Sequence, residues 1–351
     1  MNKNLDLNQY DFSYPEDLVG IRVQKPCRVM CVTEEDPLVN KWGIKEHSQQ
    51  EILSFFKPGD VLVVNETKVE KRRVFLENGL EILFINQLSS SRWEVLFSAK
   101  KMKLEDEILF PNDVRMKLVQ KGLPQILELI EGQVDENYFQ NYGQMALPPY
   151  IQKARKLRET QSEDETWYQT EWAKNSGSSA APTASLHFSK SELKKIEEFG
   201  VTVVKLTLHV GLGTFLPIKS EKLTDHKMHA ESVYISKKTL EAIKKAKLNK
   251  AHIWALGSTV LRALESYANG MFDEDEKGAS GTTDIFIYPG YSFKWVTGLL
   301  TNFHQPQSTL LAMIAAFSSL ENVKEAYSWA IERKFKLFSY GDLTLWKKKI
   351  K

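Results

Sequence analysis

The run Val201-Thr-Val-Val-Lys-Leu-Thr-Leu-His209, with Gly211 and Gly213 just beyond it, constrains the fold of this chain more than any other segment. Its β-branched residues and its alternation suit a strand. Side chains on a strand alternate, so Val203, Lys205, Thr207 and His209 share one face. The two glycines tolerate backbone angles closed to other residues and let a ligand approach the main chain. His209 is therefore expected at the carboxyl end of a strand, where α/β proteins bind ligands. Just upstream, Ser189 and Glu192 make a capping box, Leu193, Ile196 and Phe199 form an apolar stripe, and Gly200 stops the helix. Four of the seven histidines fall within residues 177–231, so this stretch is the first place to look for chemistry.

The rest of the chain supplies the frame. Val61-Leu-Val-Val-Asn65 is a continuous apolar run of the kind found in a strand covered on both faces. Residues 28–33 read as a second buried strand, and 48–57 as a short amphipathic helix through Ile52, Leu53 and Phe56, ended by Pro58-Gly59. From 70 to 147 the pattern changes to short strands over 73–77, 80–86, 92–98, 107–110, 114–119 and 125–130, punctuated by Gly79, Pro111-Asn112 and Gly122, with no helix among them. That spacing predicts an antiparallel β-barrel over 70–147, inserted into a mixed-sheet α/β domain made of 1–69 and 148–351. In the second part, a helix capped by Ser236, a strand over 252–256, a helix from Ser258, strands over 284–288 and 293–296, a helix capped by Ser308 and a last helix over 323–334 are expected. Residues 273–281 read as a mobile loop.

Lysine and arginine outnumber aspartate and glutamate by only 47 to 45, so any nucleic-acid surface must be a local patch. Two clusters flank the insertion: Lys68, Lys71, Arg72 and Arg73 on one side, Lys153, Arg155, Lys156 and Arg158 on the other. The second runs into Glu159, Glu163, Asp164 and Glu165, which also suits a solvated linker. No segment approaches the ~20 apolar residues of a membrane span, and the first residues carry no signal-peptide run, so a cytoplasmic protein is expected. Cys27 and Cys31 lack partners for a zinc site or a disulfide framework and read as buried strand residues.

Several short motifs carry chemistry. In Asp225-His-Lys-Met-His229-Ala-Glu231, His226, His229 and Glu231 could supply three metal ligands, though without zincin spacing. Gly257-Ser258-Thr259 joins a strand to a helix and could hold an anion at its positive end, while Arg262 and Glu265 are spaced to pair on one helix face. Thr301-Asn302-Phe303-His304 is a polar loop before another capped helix, and Gly281-Thr-Thr-Asp284 places a carboxylate before a strand. The dinucleotide fingerprint is missing, which disfavours a Rossmann cofactor.

Taken in order, these segments resemble the S-adenosylmethionine:tRNA ribosyltransferase-isomerase family of queuosine biosynthesis. The resemblance is carried by Asn65-Glu-Thr-Lys-Val69, Leu147-Pro-Pro-Tyr-Ile151, Ala180-Ala-Pro-Thr-Ala184, Thr207-Leu-His-Val-Gly-Leu-Gly-Thr-Phe215, His226-Lys-Met-His-Ala-Glu231, Thr283-Asp-Ile-Phe-Ile-Tyr-Pro-Gly-Tyr291, Leu300-Thr-Asn-Phe-His304 and Phe338-Ser-Tyr-Gly-Asp342. Ser185 stands where the family commonly has glycine, Glu66 where it has aspartate, and Gly257-Ser-Thr-Val where a Gly-Thr-Thr-Ser-Val type run is usual.

The resemblance implies an α/β domain with an inserted β-barrel. It also implies transfer and isomerisation of the ribosyl group of S-adenosylmethionine onto 7-aminomethyl-7-deazaguanine at the tRNA wobble position, giving epoxyqueuosine with release of adenine and methionine. S-adenosylmethionine is then a consumed substrate, no metal or nicotinamide is expected, and a monomer is the expected state. The sulfonium acidifies the adjoining ribose methylene, so a base is required, and histidine suits that task near neutral pH. On this basis His209 or His229 is the base, with His187 and Glu231 or Asp284 orienting substrate or supplying the acid. Substrate contacts are expected at Thr183, Thr207, Gly211, Gly213, Thr214, His226, Ser258, Arg262, Asn302 and His304, and phosphate contacts at Arg72, Arg73, Lys153 and Arg155. A metal-dependent hydrolase built on His226, His229 and Glu231, or a noncatalytic tRNA-binding relative, are the alternatives.

Overall fold

The computed structural model describes residues 5–38, 40–211, 218 and 220–350. Its main body is a ten-stranded mixed sheet. From edge to edge the strands are Asp273–Glu274, Gly278–Thr283, Glu231–Ser236, Thr202–Leu208, Val61–Asn65, Ile253–Leu256, Gly298–Asn302, Leu343–Lys347, Arg28–Asp36 and Lys41–Ser48. The four central strands, from Thr202–Leu208 to Gly298–Asn302, run parallel, with Val63 opposite both Val204 and Ala255. Their carboxyl ends therefore lie along one edge.

The apolar run at 61–65 follows from burial on both faces. Val61 and Val63 belong to one core with Leu240, Ile243 and Leu261 of the helices Lys237–Leu248 and Ser258–Ala268. Leu62 and Val64 face the other core, with Ile52, Phe56, Leu193 and Ile196. Neither side chain set meets water, which removes the polar alternation of a one-sided strand. The helices begin where expected: the hydroxyls of Ser189, Ser236 and Ser308 accept from the backbone N–H three residues on.

The second sheet takes its strands from Arg73 to Gln144 and is antiparallel throughout, in the order Gly143–Gln144, Arg73–Phe75, Glu81–Gln87, Arg92–Leu96, Gln125–Glu131, Arg115–Gln120 and Glu107–Leu109. It is a curled half-barrel and not a closed barrel, because its first and last strands do not pair with one another. A helix, Glu136–Tyr142, does occur here, contrary to the helix-free expectation; Asp135 caps it, and Tyr138 and Phe139 pack on Phe84, Trp93 and Leu127. Where the chain leaves and re-enters the main body, Thr67–Val69 pairs in parallel with Asn175–Ser178.

Three further expectations change. Residues 273–281 are not a free loop: Asp273–Glu274 pairs with Gly278–Thr283 at the edge of the main sheet. Residues 284–288 are irregular, and their apolar side chains reflect packing against the core and not strand pairing. Residues 293–296 form no strand because the N–H groups of Lys294, Trp295 and Val296 donate to the buried carboxylate of Glu265. Glu265 is thus committed to that loop and does not pair with Arg262.

The charged connection after the insertion is structured, not a solvated linker. It contains the helices Pro149–Arg155 and Asp164–Trp167, and Arg155 makes a bidentate pair, 2.6 and 2.9 Å, with fully buried Asp164. Arg73, 1% exposed, bonds Glu81 at 2.6 Å and the carbonyl of Arg158 at 2.8 Å, tying the second sheet to this connection.

Candidate active site

The carboxyl ends of the central strands are laced together by Asn65, which is fully buried. Its Oδ1 accepts from the N–H of Thr67 at 3.0 Å and of Leu208 at 3.1 Å, and its Nδ2 donates to the Leu208 carbonyl at 2.9 Å and to Thr259 Oγ1 at 3.3 Å. One amide thereby sets the relative height of three loops, the ones that follow the strands Val61–Asn65, Thr202–Leu208 and Ile253–Leu256. Unsatisfied amides in such a place are costly, so the arrangement is stiff.

Two cavities open above this edge. The first, about 370 Å³, is lined by His226, His229, Glu231, Arg262, Asn302 and His304, and also by Thr183 and Ser258. It reaches the start of the Ser258–Ala268 helix, where Gly257 sits at φ 100° and no side chain caps the first turn. Arg262 donates to Glu231 through Nη1 in a buried ion pair, and Glu231 Oε1 accepts from the N–H of Gly211 at 3.1 Å. The Nη2 of Arg262 is buried and has no hydrogen-bond partner among the described residues. Thr183 Oγ1 donates to Asn302 Oδ1 at 2.7 Å, fixing that amide over the cavity floor.

The second cavity, about 300 Å³, holds His209 and Gly211 on one side and Ile85, Asn86 and Glu94 of the half-barrel on the other. Val210, His229 and Glu231 line both cavities, so the two share a wall there. His209 is held from two sides. Its Nδ1 lies 2.7 Å from Thr67 Oγ1, and Gly177, at φ 134°, lies so close that a Cβ would stand 3.2 Å from the ring. Glycine is needed at 177 on both counts. With Nδ1 engaged by Thr67, Nε2 is left for a ligand.

Burial favours the neutral form of His187, His209, His226 and His304. It lowers His209 below the ordinary histidine value, against the opposing pull of Glu70, and lowers His226 with help from neighbouring His229. His304 is pushed down to about 3 and His187 to about 4, both by burial. A neutral imidazole can take a proton, and half-buried His209 pays less to become charged than the two fully buried rings.

The remaining expected site residues are placed as follows. His187 is fully buried beneath Asn302, with Nε2 3.4 Å from its Nδ2, and lines neither cavity. Thr207 lies below the edge, its hydroxyl accepting from Asn175 at 2.7 Å. Asp284 is exposed and outside both cavities. Gly213 and Thr214 lie outside the described residues. Among the basic residues, Lys153 is exposed beside Glu16. Arg72 pairs with Glu70 and stacks on Phe139 at 4.3 Å, and Arg73 and Arg155 are buried, so these three guanidiniums serve the fold and do not form an open surface patch. Sequence reasoning missed Asn65, Thr67 and Gly177 as site residues. The carboxyl-end rule, applied to Val61–Asn65 as it was to His209, points to the first two.

Among the described residues, no group of three His, Cys, Asp or Glu side chains is arranged to hold a metal ion. Glu231, wanted as a ligand by the hydrolase alternative, is instead taken by Arg262 and Gly211. Nor is any described helix long and apolar enough to cross a membrane.

Fold and site together define an α/β enzyme whose paired cavities lie at the carboxyl ends of parallel strands, one of them walled by an antiparallel insertion. The sequence model described as queuosine biosynthesis protein matches residues 7–346, and the chain belongs to that family. Relatives named S-adenosylmethionine:tRNA ribosyltransferase-isomerase are 39% identical in a Sulfurihydrogenibium species and in Halothermothrix orenii, each match covering 97% of this chain and 99% of the relative. The crystal structure of S-adenosylmethionine tRNA ribosyltransferase from Thermotoga maritima superposes with a TM-score of 0.53 at 27% identity, over 96% of this chain and 99% of that one.

Proposed function

We propose that the protein transfers the ribosyl group of S-adenosylmethionine to 7-aminomethyl-7-deazaguanine at the tRNA wobble position and isomerises it, giving epoxyqueuosine, adenine and methionine. The observation that carries the proposal is that two cavities adjoin at His229, a pocket lined by His226 and His304 and a cleft holding His209. A reaction between a small nucleoside and a base on a large RNA needs two neighbouring sites, one for each. The larger cavity is of a size used for small ligands.

His209 is assigned the base. The assignment takes the tautomer in which Nδ1–H donates to Thr67 Oγ1, which leaves the Nε2 lone pair to remove a proton from the ribose methylene next to the sulfonium, and burial favours the neutral ring. As the glycosidic bond opens, adenine takes a proton, and His229, which lines both cavities, is assigned to deliver it. The aminomethyl group attacks as the neutral amine. Glu231 acts by position: its carboxylate is occupied by Arg262 and by the Gly211 N–H, so it holds the His209–Gly211 turn against the strand that begins at Glu231. S-adenosylmethionine is consumed, and no other cofactor enters the scheme.

The test is incubation of the purified protein with S-adenosylmethionine and tRNA carrying the aminomethyl deazaguanine. Adenine and methionine are expected in equal amounts with modified tRNA; S-adenosylmethionine left intact contradicts the proposal.

A further inference from the structure

The half-barrel contributes side chains to the second cavity that no step of the chemistry above uses. Asn86 and Glu94 face one another on adjacent strands, and Asn86 Nδ2 donates to Glu94 Oε2 at 2.8 Å. A carboxylate only accepts, so this bond fixes the amide with its oxygen turned away from Glu94. Glu94 Oε1 and Asn86 Oδ1 are then left as acceptors on two residues that line the cavity, and no described residue donates to either. Beside them lie Ile85, Pro124 and Leu123, the last 58% exposed.

We propose that Glu94 and Asn86 are the specificity residues for the acceptor base, receiving the ring N–H and the 2-amino group of a guanine-like nucleobase turned out of the RNA. The inference rests on the ribosyl transfer proposed above. A wall of acceptors with a carboxylate repels phosphate and complements an edge made of donors. The apolar side chains offer van der Waals cover for the face of an unstacked base. In a 7-substituted deazaguanine the aminomethyl group projects from the five-membered ring, on the far side from that donor edge. With the edge on Glu94, the amine points across the cleft to the wall that holds His209 and His229, the latter lining both cavities. The insertion is thus the part of the protein that selects the base, and the α/β domain the part that activates the donor.

The experiment measures adenine release by the full chain with two tRNAs, one carrying the natural aminomethyl deazaguanine and one its analogue without the 2-amino group. The wild type is expected to prefer the natural tRNA by about tenfold or more in kcat/KM, as a lost base contact of this kind does. Glu94→Ala and Asn86→Ala, checked for unchanged melting, are expected to raise KM for the natural tRNA and to shrink the preference toward unity. A purely structural role would not alter that ratio. A wild type that does not distinguish the two tRNAs, or folded variants that keep its preference, overturns the inference. Absence of adenine release from the wild type with the natural tRNA overturns the ribosyl-transfer proposal itself, and the inference with it.

Discussion

The hydroxyl of Thr67 lies 2.7 Å from Nδ1 of His209, so the segment that leaves one parallel strand orients the imidazole that follows its neighbour. Thr67→Val keeps the shape and removes the bond. One hydrogen bond contributes about 0.5–1.5 kcal/mol, so kcat is expected to fall by about tenfold or less, with KM for S-adenosylmethionine unchanged. Steady-state kinetics check this, and an unchanged kcat removes Thr67 from the orientation of His209.

The pH dependence of the rate follows from the burial of His209. Its value is lowered, so the neutral form persists to more acid pH than for a free histidine. The acid limb of kcat is therefore expected below about pH 6.5, the unperturbed value. A limb centred above it contradicts the assignment.

Stability has its own pH dependence. His187 and His304 are lowered to about 4 and about 3, so between pH 6.5 and those values the unfolded chain binds protons that the native protein refuses. Stability is full above the unfolded value and is lost as pH falls, at up to about 1.4 kcal/mol per pH unit for each ring. Denaturant titrations at pH 7 and pH 5 measure the slope, and His304→Gln is expected to flatten it. Equal stability at both pH values contradicts the burial of neutral rings.

Arg262 and Glu231 form a buried pair, 7% and 5% exposed. Removing one partner leaves an uncompensated charge, so Arg262→Gln and Glu231→Gln are each expected to cost about 3–5 kcal/mol, and the double variant much less than their sum. A thermodynamic cycle by chemical denaturation tests the coupling; additive losses contradict it. Arg155→Ala, which strands Asp164, is expected to cost a similar amount, and stability close to wild type argues against its structural role.

The frame of the site was legible because it depends on local signals. The buried run at Val61–Asn65, the serine caps and the strand running into His209 all state their conformation within a few residues. What the sequence hid depends on contacts that exist only once the chain is folded. Residues 293–296 look like a strand until Glu265, about thirty residues away, is seen to take their N–H groups. Arg73 and Arg155 look like a basic surface until Glu81 and Asp164 bury them. Asn86 and Glu94 carry no signal at all, since polar residues on the open face of an antiparallel strand are the ordinary pattern. His187 is drawn into the expected catalytic group by its motif, yet the structure puts it behind Asn302.

The most direct measurement is adenine release by His209→Gln beside the wild type, at saturating S-adenosylmethionine and tRNA, with binding of S-adenosylmethionine and the melting temperature followed in parallel. A general base contributes about a hundredfold or more, so the variant is expected to bind and fold as the wild type does while kcat falls by at least that factor. A variant that turns over within a few-fold of the wild type contradicts the assignment of His209 as the base.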